Sequence, residues 1–251
     1  MLAHLVCFLV HWQNTLGWTP FNFVAQVAGN IRSNRAKGHA VNHINALFPT
    51  PVMVAKGVVN STAVDRARAR AIAHLDQENS HDARLQHSAI MDPGRAPFLP
   101  PLAPVIDQQL EEFGVALLGE RLKWFLKEVW VNRLGTGGHQ ATHLHANSLV
   151  SGVVYLTPSH PSANLIFERS QGGGQFVFSN FHAGSDVTPY NAARWQIPDI
   201  AAGDLVLFPS YLLHGVPRNE GDERISVSFN AIPERLNSWG YSIQMRPMPR
   251  E

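Results

Sequence analysis

The sequence predicts an α+β protein, mainly β, in which helices come first and an all-β half follows. Two patterns carry this. Before residue 120, one stretch repeats its apolar residues at helical spacing and another opens on a cap-like pair. After about Val129 the segments turn short, β-branched and punctuated by Gly and Pro. The bulk numbers agree: 251 residues, 45% apolar and 16% charged, suit one large globular domain with a real core.

Residues 1–46 are mixed, with Asn, Gln and His among apolar residues and no sustained period. They are read as an N-terminal extension of flexible character. The domain proper is placed at 47–251, with a helical part at about 47–128 and a β core at about 129–235. Thr62 and Asp65 have the spacing of a capping box, so a helix is expected over about Ala63–Leu75. Pro93, Pro97, Pro100, Pro101 and Pro104 make 91–104 a rigid irregular connection. Ile106, Leu110, Phe113 and Leu117 then predict a helix over Val105–Leu118, stopped by Gly119. Leu122–Leu126 is read as an extension of the helical region.

Strands are expected at Val129–Arg133, Thr142–Asn147, Gly152–Leu156, Asn164–Glu168, Phe176–Phe178, Trp195–Ile197, Asp204–Phe208, Leu213–Pro217 and Ile225–Ala231. So many short strands suggest a barrel or sandwich. Gly172-Gly173-Gly174 reads as a flexible hairpin or lid, being too short for a phosphate loop.

Several function classes fall away on composition. A formal net charge of +1 gives no electrostatic case for nucleic-acid binding, and Arg66, Arg68 and Arg70 are spread around a helix as a solvated surface. Cys7 is the only cysteine, so nothing points to an oxidising compartment. The apolar run Leu2–Trp12 is shorter than the roughly 20 residues a membrane span needs, and no Lys or Arg precedes it. The protein is expected to be soluble and cytoplasmic, without nucleic-acid or membrane partners.

Histidine is the unusual component, with 13 copies. On a strand, residues two apart share a face, so His143 and His145 would present two imidazoles together with Leu144 opposite. His214, set in apolar neighbours after the strand Asp204–Phe208, is the candidate third ligand. Three imidazoles suit Fe, Zn, Cu or Ni. Ten residues on, Arg224 and Ser226 share one face of an alternating strand. A buried guanidinium needs an anionic partner, and its fork suits a carboxylate. His139, His160 and His182 are read as rim or loop residues, and Trp195 as packing at the pocket or near it.

The run from Gly137 to Asn230 resembles the 2-oxoglutarate/Fe(II)-dependent dioxygenases. It is most similar to a group of bacterial and phage oxygenases with His143-Leu-His145, Asn147-Ser148, Ser151-Gly-Val-Val-Tyr155-Leu156, the Gly203-Asp-Leu-Val-Leu-Phe-Pro-Ser210 strand, His214 and Arg224-x-Ser226. The resemblance implies a double-stranded β-helix, a jelly-roll or cupin-like barrel, with supporting N-terminal helices. It implies metal binding by His143, His145 and His214, and 2-oxoglutarate held by Arg224 and Ser226, with Tyr155 and Asn147 as further contacts. The chemistry implied is hydroxylation with Fe(II), 2-oxoglutarate and O2. The substrate, a small molecule or a side chain, is not encoded in any motif, and neither is the oligomeric state.

The general pattern of these enzymes is two His and one carboxylate. Here His145 stands at the carboxylate position, and Glu168 and Asp186 are distant in the chain. Three neutral ligands leave the metal more positive. A cupin-like metalloenzyme using another metal is the rival reading: Gly137, the His pair, Gly203, Pro209 and His214 fit parts of the cupin motifs. The cupin Glu is missing, since 146–151 reads Ala-Asn-Ser-Leu-Val-Ser. A three-His zinc hydrolase would need a general base, for which Glu168 is the candidate. A non-enzymatic metal-binding module is the third alternative, and it has no use for Arg224 and Ser226.

Overall fold

The computed structural model describes residues 44–75, 77–78, 84–170, 180 and 182–247. Contacts divide the chain into two units, 1–49 and 50–251, and every strand and helix named below lies in the second. All but the last three residues of the expected extension lie outside the described residues, Cys7 and Leu2–Trp12 among them. So do the expected strand Phe176–Phe178 and the triple glycine.

The order is β1 (Met53–Ala55), α1 (Ser61–Ile72), β2 (Gln77–Glu78), β3 (Leu85–His87), α2 (Ala103–Leu118), β4 (Trp124–Leu134), β5 (Gln140–His143) and β6 (Val150–Tyr155). Then come β7 (Ile166–Glu168), β8 (Arg194–Gln196), β9 (Leu205–Pro209), β10 (His214–Val216), β11 (Arg224–Pro233), β12 (Arg235–Ser238) and β13 (Tyr241–Gln244). A seven-stranded antiparallel sheet runs β1-β9-β6-β11-β4-β3-β2, and a four-stranded sheet runs β5-β10-β7-β8. From β4 to β11 the chain passes back and forth between the two sheets, with β7 and β8 the one consecutive pair in the same sheet, which is the double-stranded β-helix expected; α1 and α2 precede these strands. No helix among the described residues is long and apolar enough to cross a membrane.

The large sheet has two unlike faces, and β11 shows why. Its alternate residues Ile225, Val227, Phe229 and Ala231 join one buried cluster with Ile106, Leu110 and Phe113 of α2 and Ala67 and Ala71 of α1. Arg224, Ser226, Ser228 and Asn230 point the other way. Burying each large apolar side chain is worth about 1.5–3 kcal/mol, so the helix-side cluster fixes the register. That register aims the polar set at the second sheet.

Three local expectations are corrected. The cap of α1 is Asn60, whose side chain accepts the Ala63 N–H at 2.9 Å, so the helix starts before the Thr62–Asp65 pair. Asp65 instead pairs with Arg68 at 2.8 Å. Leu122–Leu126 does not extend a helix: Gly119 closes α2 in the left-handed conformation (φ 72°), and β4 begins at Trp124, paired with Pro233 of β11. Cross-strand pairing outweighs the good helical propensity of Leu122 and Leu126, which tertiary context commonly overrides. The third is β5, which ends at His143 rather than running on to Asn147, because the chain turns at Asn147 with φ 57°.

Gly203 holds the turn into β9. Its φ of 90° is open to glycine, and a Cβ there would sit 2.4 Å from the Val59 carbonyl oxygen. Beside it Asp204, 1% exposed, accepts from the N–H groups of Gly57 and Ala201 and pairs with Lys56. Burial alone would raise its pKa; those donors outweigh burial and hold the carboxyl below its usual range.

Candidate metal centre

His143 ends β5 and His214 begins β10, and the two are directly paired across the strands. Their ring centroids are 4.4 Å apart. His145 lies beyond the end of β5, so the shared-strand-face argument is not how it arrives. Its N–H donates to the Ser210 carbonyl at 3.0 Å, and this seats its ring 5.1 Å from His143 and 5.0 Å from His214. Leu144 is half exposed, on the outside. One nitrogen from each ring falls within 4.8 Å of the others.

The tautomers follow from the backbone. His143 Nδ1 donates to the Ala141 carbonyl and His214 Nδ1 to the Leu212 carbonyl, each at 2.8 Å. A carbonyl only accepts, so Nδ1 carries the proton and Nε2 keeps its lone pair. Burial, then the charge of His143, pushes His145 down to about 4 and His214 down to about 3. Both are therefore neutral at physiological pH, the form that binds metal ions.

The rings look into a pocket whose empty space, open solvent included, is about 370 Å³. Arg224 also lines it. That guanidinium is 6% exposed, reaches the Ala163 carbonyl at 3.3 Å and lies 5.0 Å from the Tyr155 ring centre. Arg224 Nε and Tyr155 Oη have no hydrogen-bond partner among the described residues. Burial raises the Tyr155 pKa, with Arg224 opposing, so the phenol keeps its proton as a donor. Two orphaned donors, one of them cationic, are the complement of a buried carboxylate.

The structure places the other expected residues less centrally. Ser226 is buried between Asn132 and Tyr155 in the sheet, and neither it nor Tyr155 lines the cavity. Asn147 is exposed on its turn. His160 bonds Ser162 at an exposed loop. Trp195 is about half exposed and stacks on Phe167, which in turn lies 6.5 Å from His214.

Sequence reasoning missed Asn132, Ser228 and Trp130, which line the cavity. Asn132 Nδ2 donates to Ser228 Oγ at 2.9 Å, and Trp130 lies 5.4 Å from His145. The alternation that singled out Arg224 and Ser226 extends to Ser228, so that signal was available. Among the described residues no carboxylate joins the three histidines as a ligand. Glu128, absent from the sequence reading, is near enough for its charge to act on His145.

Residues 128–230 match the model of the family described as "Putative 2OG-Fe(II) oxygenase". No curated protein matches the chain. Among solved structures, HygX from Streptomyces hygroscopicus with nickel and 2-oxoglutarate bound is 18% identical with a TM-score of 0.53, covering 73% of this chain and 83% of that one. The non-heme alpha ketoglutarate dependent epimerase SnoN from nogalamycin biosynthesis is 16% identical with a TM-score of 0.55, covering 74% and 77%. Further structures hold hygromycin B in HygX, and Fe3+, alpha ketoglutarate and nogalamycin RO in SnoN. These likenesses place the chain among folds of one kind, and the family match falls on the stretch that carries all three histidines and Arg224. Over residues 128–230 the chain is thus similar to the 2OG-Fe(II) oxygenase family, and over most of its length it shares the fold of HygX and SnoN.

Proposed function

We propose that the chain is a 2-oxoglutarate- and Fe(II)-dependent dioxygenase, with His143, His145 and His214 as metal ligands and Arg224 as the anchor of 2-oxoglutarate. The observation that carries this is the pairing of three converging imidazoles with a buried guanidinium, its Nε without a partner among the described residues, in one cavity. Fe(II) with 2-oxoglutarate and O2 supplies oxidising power for hydroxylation. The chain's own part is binding and orientation. Nδ1–H bonds to Ala141 and Leu212 lock two imidazoles with Nε2 free. Arg224 Nε is the donor for the distal carboxylate of 2-oxoglutarate, with the Tyr155 ring against the guanidinium and Ser226 packed between Tyr155 and Asn132 behind the cavity wall. Asn132 and Ser228 offer further polar atoms along the wall between anchor and metal.

HygX and SnoN hold small molecules, and a small-molecule substrate is the corresponding reading for this chain. A domain spanning 47–251 and a cytoplasmic setting complete the proposal, the latter on the single cysteine.

The test is anaerobic addition of Fe(II) and then 2-oxoglutarate to metal-free protein, followed by visible absorbance. A weak charge-transfer band that needs both components, and is lost in His143→Ala and in Arg224→Ala, is the expected result. No band, with tight binding of Zn(II) or Ni(II), would transfer the chain to the cupin-like class without 2-oxoglutarate.

A further inference from the structure

We propose that Glu128 is a positioning residue for the metal centre. Its carboxylate, held on the cavity side of the large sheet by Asn230, supplies from outside the ligand set the negative charge that three imidazoles lack. The inference rests on the metal-binding reading above and goes beyond it in assigning a role to a residue that is not a ligand.

The geometry starts with register. Glu128 of β4 pairs with Asn230 of β11, just where a bulge inserts Lys127 as the extra residue. Glu128 and Trp130 are two apart on one strand, so they share a face. Trp130 lies against His145, with ring centroids 5.4 Å apart. Glu128 thus stands one residue pair behind the ring that packs on a ligand. Its side chain is 25% exposed.

A surface glutamate beside a lysine would ordinarily turn to water. Glu128 does not, because a buried chain of side chains holds it. Asn230 Nδ2 donates to Glu128 Oε1 at 2.6 Å. An ionised carboxylate only accepts, so the amide nitrogen must face it and Asn230 Oδ1 must face the other way. Ser151 Oγ then donates to that Oδ1 at 2.7 Å. Having spent its one proton, Ser151 accepts from Ser210 Oγ at 2.9 Å. Ser210 in turn accepts from Ser148 Oγ at 2.6 Å. Every donor in the chain points towards Glu128. Within it lies Ser210, whose backbone carbonyl receives the His145 N–H. One network therefore anchors the carboxylate and seats the third histidine.

The electrostatic logic is simple. A divalent ion held by two His and one carboxylate carries a net +1; held by three neutral imidazoles it keeps +2. A fixed anion in the low-dielectric wall offsets part of that excess. Lys127, whose ammonium is 3.6 Å from the Glu128 carboxylate, works against it. Outer groups of this kind typically change metal affinity about 10–100-fold when removed.

The experiment is a Co(II) titration of metal-free full-length chain at low ionic strength, read by visible absorption and calorimetry. His214→Ala serves as the control for binding at this site. Glu128→Gln keeps an acceptor for Asn230 but removes the charge. The expected result is a Co(II) Kd raised about tenfold, with the melting temperature unchanged and with Glu128→Asp close to the parent. A purely structural role for Glu128 predicts no such change in Kd. An unchanged Kd in folded Glu128→Gln overturns the inference. Should that variant not fold, Lys127→Gln decides: Co(II) binding about threefold tighter supports the inference, and an unchanged Kd overturns it. A parent that binds no Co(II) overturns the metal-site reading itself and this inference with it.

Discussion

His214 faces His143 across the β5–β10 pair, rings 4.4 Å apart, each with Nδ1 tied to a carbonyl two residues earlier in its own strand or turn. Two free Nε2 atoms are thus set by backbone geometry before any ion arrives. His214→Ala and His143→Ala should each weaken Ni(II) binding by at least about a hundredfold, the upper end for groups that act on a metal only from outside its shell. Calorimetric titration checks this. The two differ in stability: His214 is 4% exposed, so its truncation also leaves a void and lowers the melting temperature, whereas half-buried His143 costs little.

Arg224 brings a charge into the fold with no acidic partner among the described residues; it meets the Ala163 carbonyl and the Tyr155 ring. Such a group costs folding energy until an anion binds. Arg224→Met should therefore leave the ligand-free protein as stable as the parent or more so. Adding 2-oxoglutarate with Ni(II) should raise the parent's melting temperature and not the variant's, since only a ligand that binds the native state stabilises it. A thermal-shift series reads both effects; an equal rise in the two proteins would remove Arg224 as the anchor.

Gly152 is needed for space rather than for its backbone. A Cβ there would lie 2.2 Å from Phe229 Cζ, and Phe229 is fully buried. Gly152→Ala should cost about 1–3 kcal/mol by overpacking. Phe229→Leu in the same chain should recover part of that loss, a non-additivity that denaturant melts of the four proteins measure.

The depressed pKa of Asp204 fixes a direction with pH. A carboxyl with a folded pKa below its unfolded value stabilises the fold above the unfolded pKa, and this stability is lost as pH falls through the folded one. Asp204→Asn should thus be less stable than the parent at pH 7, by about 1.5–3 kcal/mol for a buried charged hydrogen-bonding group. The gap should narrow only below about pH 4. Melts from pH 7 to pH 3 test it; a constant gap would mean that packing, not charge, holds the turn.

How much of this could be read in advance depends on range. The alternation of Arg224 to Asn230 is a period-two signal within one strand; it put Arg224 and Ser226 on one face, of which Arg224 and Ser228 line the cavity while Ser226 is buried in the sheet. The spacing of Ile106, Leu110 and Phe113 likewise marked the buried face of α2, and Gly119 its end. The partners of those faces were not local. Glu128 meets Asn230 across 102 residues, and nothing near residue 128 encodes that register. The cap of α1 went to Asn60 over Thr62 because the extended backbone at residue 60 (φ −68°, ψ 158°) presents its side chain to the helix start. Similarly, His145 reaches the site by a hydrogen bond to Ser210, a partner 65 residues away, although the His-x-His spacing alone suggested a simple strand face.

The two-faced strand β11 has a consequence for how this chain can change over time. Odd and even positions between Arg224 and Ala231 answer to different demands, packing against the helices for one set and cavity chemistry for the other. Substitutions can therefore explore one demand with little cost to the other. Insertions and deletions cannot. Losing a single codon within this strand would exchange the two sets, turning Arg224 or Ser228 into the helix-side core and valines into the cavity. Length variation in descendants of this chain should therefore collect in exposed connections such as 182–193, and stay out of the ten residues of β11.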